Sequence, residues 1–123
     1  FKLHSPEESV LLCGDFNIAP AELDLYDPAE WKGRVLFSEP ERRWMSSMLE
    51  AYQDTYRMHF PTERSFTWWD YRELGFPLNK GLRIDLILAS LQLAKRCKTA
   101  SIDREERKGT KPSDHAPILV EVI

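Results

Sequence analysis

The spacing of apolar and polar positions divides the chain into strand-like runs, one clear helix and several polar connectors. Val10-Leu11-Leu12-Cys13 is an unbroken apolar run closed by Gly14-Asp15-Phe16-Asn17-Ile18-Ala19-Pro20. The pattern predicts a strand buried on both faces that delivers Asp15 and Asn17 at its end, where Pro20 prevents a simple continuation. These two side chains can equally serve only to shape a turn by bonding nearby backbone. Residues 21–28 hold Glu22, Asp24 and Asp27 among apolar positions without a clean period, which predicts loop with a short helical turn. Ser38-x-x-Glu41 has the form of a capping box with Pro40 just inside it, so a helix is expected from Ser38. Trp44, Met45, Met48, Leu49 and Tyr52 then recur at helical spacing and form its core-facing stripe.

Beyond the helix the pattern changes. Thr55-Tyr56-Arg57-Met58 reads as a short strand or extended connector, and His59 as a surface residue. Ser65-Phe66-Thr67-Trp68-Trp69-Asp70-Tyr71-Arg72 is rich in β-favouring residues and predicts a strand running into the loop 73–81, with one tryptophan in the core and the other at work on the surface. In residues 82–90, Ile84, Leu86 and Leu88 alternate with Arg83, Asp85, Ile87 and Ala89, so Asp85 projects from a central, mostly apolar strand. A carboxylate there needs a partner, because leaving it ionised and unpaired costs several kcal/mol. Residues 91–102 include one edge-like strand guarded by Lys95, Arg96 and Lys98, and 103–111 form a charged loop. Pro112-Ser113-Asp114-His115-Ala116-Pro117 pins an adjacent Asp and His between prolines, and a final strand, 118–123, closes the chain.

Composition narrows the class. At 123 residues, 42% hydrophobic and 30% charged, the chain is the size of one small folded domain without a disordered tract. A net charge of -3 argues neither for a general polyanion binder nor against a local basic patch. Cys13 and Cys97 lack CxxC spacing, which predicts buried free thiols in a reducing compartment rather than a zinc or redox site. No run is long enough to span a bilayer, and residues 1–6 lack the apolar core of a secretory signal, so a cytoplasmic location is expected, with no membrane contact. The first residue is Phe rather than Met, as in a processed chain or a fragment.

Asp15, Asn17, Asp85, Asp114 and His115 together offer hard oxygen ligands, an amide and an imidazole. Such a set suits Mg²⁺, which keeps several waters and shares its shell with phosphate. These are the parts of metal-assisted phosphoester hydrolysis, and no Ser or Cys nucleophile is signposted. Between Arg72 and Arg83 the chain interleaves cations and aromatics, a mixture that suits sugar-phosphate contacts beside a stacking ring.

GDFNIAP, FTWWDYR, NKGLRIDLILAS and PSDHAP, in that order, resemble the exonuclease III branch of the endonuclease/exonuclease/phosphatase (DNase I-like) superfamily, which includes apurinic/apyrimidinic endonucleases. The resemblance runs from Val10 onwards and matches only the second half of the family fold. It implies an α/β class: half of a four-layer α/β sandwich, one mixed β-sheet with helices on its outer face, residues 1–123 forming the C-terminal half. It implies a Mg²⁺-dependent DNA-repair phosphodiesterase, with Mn²⁺ as a substitute, acting on double-stranded DNA at abasic sites or 3′ ends. It implies that Asp15 activates water, Asn17 bonds the scissile phosphate, Asp85 orients His115, and Asp114 holds metal with Asp15 and Asn17. Trp68, with Phe66 and Leu82 as neighbours, resembles the aromatic lining a pocket for an extruded abasic sugar. Arg72, Asn79, Lys80 and Arg83 are the implied DNA contacts. The first half's metal-binding Glu has no counterpart in residues 1–9, which leaves the alternative of a non-catalytic folding or DNA-binding fragment. Its sheet would need a partner fragment or a second copy over its uncovered face. A further alternative is a phosphoesterase acting on RNA or a small molecule.

Overall fold

The computed structural model describes residues 7–123, and the reading of the first residues as the tail of an upstream element lies outside them. In chain order the elements are β1 (Leu11–Asp15), α1 (Pro28–Trp31), α2 (Glu39–Ala51), β2 (Tyr52–Asp54), α3 (Thr55–His59), β3 (Trp68–Trp69), β4 (Gly81–Leu82), β5 (Asp85–Ser90), α4 (Leu91–Ala94), β6 (Cys97–Ile102) and β7 (Ile118–Val122). Short 3-10 turns sit at Glu22–Asp24, Arg72–Leu74 and Arg104–Lys108.

The α/β class stands, but the described strands pair in three small antiparallel sheets, β1-β5-β2, β3-β4 and β6-β7, rather than in one mixed sheet. Strand β7 packs against β5, yet its ladder is made with β6. The central strand is β5. Its register with β1 runs from Leu11 opposite Ala89 to Asp15 opposite Asp85, so these two carboxylates end the sheet side by side.

Helix α2 covers one face of this sheet. Ser38 caps it as the spacing foretold: its Oγ accepts from the Glu41 N–H and the Glu41 carboxylate accepts from the Ser38 N–H at 3.3 Å. Met45, Met48 and Tyr52 pack on Leu86, Leu88 and Ile18, with Leu12 of β1 joining them. Trp44 departs from the stripe. It is 42% exposed and leans on Phe16, because its position falls at the margin of the buried arc.

The other face of β1 is bare among the described residues. Leu11 and Cys13 are exposed, so the expectation of a strand buried on both faces, and of a buried Cys13 thiol, is corrected. An apolar run records that a strand can be covered twice; it does not say what covers it.

Two further expectations change. Residues 55–59 are a helix, because the Asp54 side chain caps its first turn by accepting from the Arg57 N–H. Arg83 is not a DNA contact: its guanidinium is fully buried and pairs with Asp24 and Asp54. Burial works against that charge, but the bonds and attraction of Asp54 and Asp24 outweigh it and hold Arg83 protonated. Arg83 stands two residues before Asp85, ahead of β5, and its side chain is taken up by Asp24 and Asp54.

Candidate active site

Three chain segments bring the polar side chains together. Asp15 sits at the last position of β1, where Gly14 takes a φ of 144° that side chains rarely adopt. Asn17 follows in the left-handed region at φ 54°, its N–H donating to Asp15 Oδ1 at 2.9 Å. The turn-shaping role therefore exists, and it fixes the Asp15 carboxylate at the sheet end.

Asp85 opens β5 directly across the ladder. Its partner is His115, whose Nδ1 lies 2.7 Å from Asp85 Oδ2. An ionised carboxylate only accepts, so Nδ1 carries the proton and Nε2 faces outward. That Nε2 lies 3.7 Å from Asp15 Oδ2 and 3.8 Å from Asp114 Oδ1. Burial pushes the Asp85 carboxyl above the usual aspartate range. Hydrogen bonds from His115 and Thr67 pull it part of the way back, and the neighbouring Asp15 adds to the rise.

Thr67 is the member that sequence reasoning missed. Its Oγ1 accepts from the Ile84 and Asp85 N–H groups at 3.0 and 3.1 Å, anchoring the start of β5 beneath the site. The signal was a small hydroxyl among the aromatics of FTWW, in a strand that otherwise favours bulk.

The Asp114-His115 segment is zipped to the same strand. Trp69 N–H donates to Asp114 O at 3.1 Å and Ala116 N–H to Thr67 O at 2.8 Å, making Trp68 and His115 bridge partners. Trp68 Nε1 donates to Asp114 Oδ2 at 3.0 Å. Trp69 is fully buried, whereas Trp68 is half-buried and lines a cleft.

Trp68 and Leu82, paired across β3-β4, open onto a cleft of about 300 Å³ that Tyr26, Trp31, Arg34, Arg72 and Lys80 also line. Arg34 stacks on Trp31 at 4.3 Å. Arg72 is exposed and holds Asp70, whose carboxyl it keeps below the usual range through its hydrogen bonds. Asn79 has a structural task as well: its Oδ1 accepts from Trp69 Nε1 at 3.0 Å. Phe66 lies in the core with Trp69 and Ala116, away from the cleft wall.

Asp15, Asp85 and His115 bring potential ligand atoms within 4.8 Å of one another. Asp85 and the His115 Nδ1 already engage each other, so the oxygens suited to a hard cation are those of Asp15 and Asp114, with the Asn17 amide nearby in sequence. Few carboxylates, open to solvent, fit an ion that retains part of its water shell.

A model of the Endonuclease/Exonuclease/phosphatase family matches residues 2–115. The chain belongs to that family. It is 40% identical over 128 aligned residues to exodeoxyribonuclease III of Haemophilus influenzae, covering 98% of this chain and 48% of that protein. The 3′ phosphatase NExo from Neisseria, solved with a product DNA hairpin, superposes with a TM-score of 0.91 at 40% identity, over 94% of this chain and 45% of that one. An AP endonuclease from Archaeoglobus fulgidus superposes at 0.92 with 35% identity, over 98% of this chain and 48% of its own. Within the Endonuclease/Exonuclease/phosphatase family, then, the chain spans about half the length of the relatives it matches, and its DNase I-like fold is shared with them.

Proposed function

We propose that residues 1–123 are the C-terminal half of a DNA-repair phosphodiesterase, which in the complete protein has apurinic/apyrimidinic endonuclease and 3′-to-5′ exodeoxyribonuclease activity. One observation carries the reading. His115, locked by Asp85, presents Nε2 between the carboxylates of Asp15 and Asp114, and Asp114 is bonded to Trp68, which lines the aromatic and basic cleft. The relatives' names, exodeoxyribonuclease III and AP endonuclease, agree with it.

In this mechanism Asp15, exposed at the strand end, orients the attacking water and takes its proton. Asn17 donates to a phosphate oxygen. His115 Nε2 stabilises the charge that grows on the phosphate in the transition state, and Asp85 keeps the imidazole in the tautomer and orientation this requires. Asp114, Asp15 and Asn17 would hold Mg²⁺, with Mn²⁺ as a substitute, and the ion would neutralise phosphate charge and ease departure of the leaving oxygen. Trp68 receives the extruded abasic sugar, while Arg72, Lys80 and Asn79 meet the DNA backbone of the duplex. A cytoplasmic location goes with this role, and no described helix is long and apolar enough to cross a membrane.

The bare face of β1, with Leu11 and Cys13 exposed, favours a second reading for these residues taken alone: a fragment that folds or binds DNA and turns over only when that face is covered by the other half of the fold or by a second copy. Incision of a duplex with one abasic site, with Mg²⁺ and with EDTA, tests both. Metal-dependent incision by the pure chain supports a working site within it. Binding without incision, restored by adding the other half of the fold, supports the fragment. Cleavage of RNA in preference to the abasic duplex overturns the DNA-repair reading.

A further inference from the structure

The segment that carries Asp114 and His115 is held at its neck, where Asp103 N–H donates to Pro117 O at 2.9 Å, and on one side by β3. Further support comes from within the loop. Arg107, in the 3-10 turn Arg104–Lys108, is only 6% exposed, unusual for an arginine that makes no ion pair among the described contacts. Its Nη1 donates to Ser113 O at 2.7 Å, the carbonyl immediately before Asp114. Its Nε is buried without a partner. The guanidinium stands 4.6 Å from the Phe76 ring, 5.5 Å from Tyr71 and 5.7 Å from Trp69. Tyr71, on the same aromatic wall, donates its hydroxyl to Pro112 O at 2.6 Å.

A buried cation whose strongest directional bond goes to one loop carbonyl is a costly way to fill space, since an apolar side chain of similar length would pack there without the desolvation penalty. We infer that Arg107 is a positioning residue: caged by Phe76, Tyr71 and Trp69, it sets the backbone of Ser113 so that Asp114 meets Trp68 and His115 meets Asp85. The cage orients the guanidinium through its ring faces, and the hydrogen bond passes that orientation to the loop. Arg104 supplies the internal control. It stacks on the same Phe76 and Trp69 rings, at 4.3 and 5.6 Å, and among the described contacts reaches no loop carbonyl.

The test reads two native-state resonances of the full chain that do not depend on turnover: the Trp68 indole N–H, bonded to Asp114, and the His115 Nδ1–H, bonded to Asp85. Arg107→Met is expected to move both and to speed their exchange with water, while the Arg104→Met variant reports no comparable change. Where Arg107→Met does not fold, Arg107→Lys, which keeps the charge but loses the fork, is read in the same way. Unmoved Trp68 and His115 signals in a folded Arg107 variant overturn the inference, and so do equal shifts in the Arg104 and Arg107 variants, which would assign the effect to ring packing. The kinetic arm rests on the proposed phosphodiesterase activity. In the complete protein Arg107→Lys should lower kcat about tenfold or more with KM within about twofold. An inactive parent protein with Arg107-dependent resonances defeats the functional reading and leaves the positioning role standing. An active parent with unchanged kcat in Arg107→Lys and unmoved resonances defeats the positioning role alone.

Discussion

The His115 ring is held by the bond from its Nδ1–H to Asp85, a carboxylate the fold partly desolvates. His115→Ala or Asp15→Asn in the complete protein should lower turnover at least about a hundredfold with the fold intact, measured by incision kinetics and circular dichroism. Asp85→Asn should show a different balance. The folded pKa of Asp85 is raised above its unfolded value, so the native state binds this proton more tightly. The group favours folding below the unfolded pKa, and that contribution is lost as pH rises through the folded pKa. At neutral pH the ionised carboxylate is therefore a net cost. Asp85→Asn should leave the urea midpoint at pH 7.5 equal or higher while activity falls, and a clearly lower midpoint would contradict the desolvated environment. The cations divide just as sharply. Neutralising Arg72 or Lys80 should weaken DNA binding and reduce the salt slope by about one, whereas Arg83→Met should leave the slope alone and cost about 3–5 kcal/mol in denaturant, because Asp24 and Asp54 are left buried without it.

At the scale of elements, the site depends on how closely β4 passes the aromatic wall. A Cβ on Gly81 would stand 2.6 Å from both Phe66 Cβ and Trp69 Nε1. Neither atom is the loose end of a flexible chain. Gly81→Ala should therefore force β4 away from β3, shift the Trp68 and Leu82 wall of the cleft, and lower the thermal midpoint, all of which a spectrum of the tryptophan indoles and a melting curve would report. Helix α2 is the simpler case. Removing its cap with Ser38→Ala should cost about 1 kcal/mol by urea unfolding and leave the active-site resonances in place, since the helix covers the sheet face opposite Asp15 and Asp85.

For the whole molecule, the informative surface is the face of the β1-β5-β2 sheet that α2 does not cover. Asp15 and Asp85 end that same face, as the register with Cys13 opposite Ile87 requires. Cys13 is exposed there, while Cys97 is half-buried and burial pushes its thiol up. A thiol reagent should modify Cys13 much faster than Cys97, by at least about tenfold, and protein that covers the bare face should slow the reaction. A Cys13 rate that falls with rising chain concentration would identify a second copy as the cover. A rate that falls only with the other half of the family fold would identify that half.

Local chemistry was legible in the sequence wherever a residue's role is set by its immediate neighbours. The Ser38 cap, the Met45 and Met48 stripe, the β5 alternation and the need of Asp85 for a partner all follow from spacing and from the cost of burying a charge, and the structure supplies His115 as that partner. What tertiary structure alone decided was direction and cover. Arg83 reads as one more cation in a basic stretch until the fold turns it onto Asp24 and Asp54; Arg107 reads as loop charge until it is found caged behind Ser113. Strand β1 looked doubly buried because an apolar run records the capacity to be covered, whereas cover itself comes from segments remote in sequence. Spacing fixes which residues share a face, and only the assembled chain fixes what that face meets.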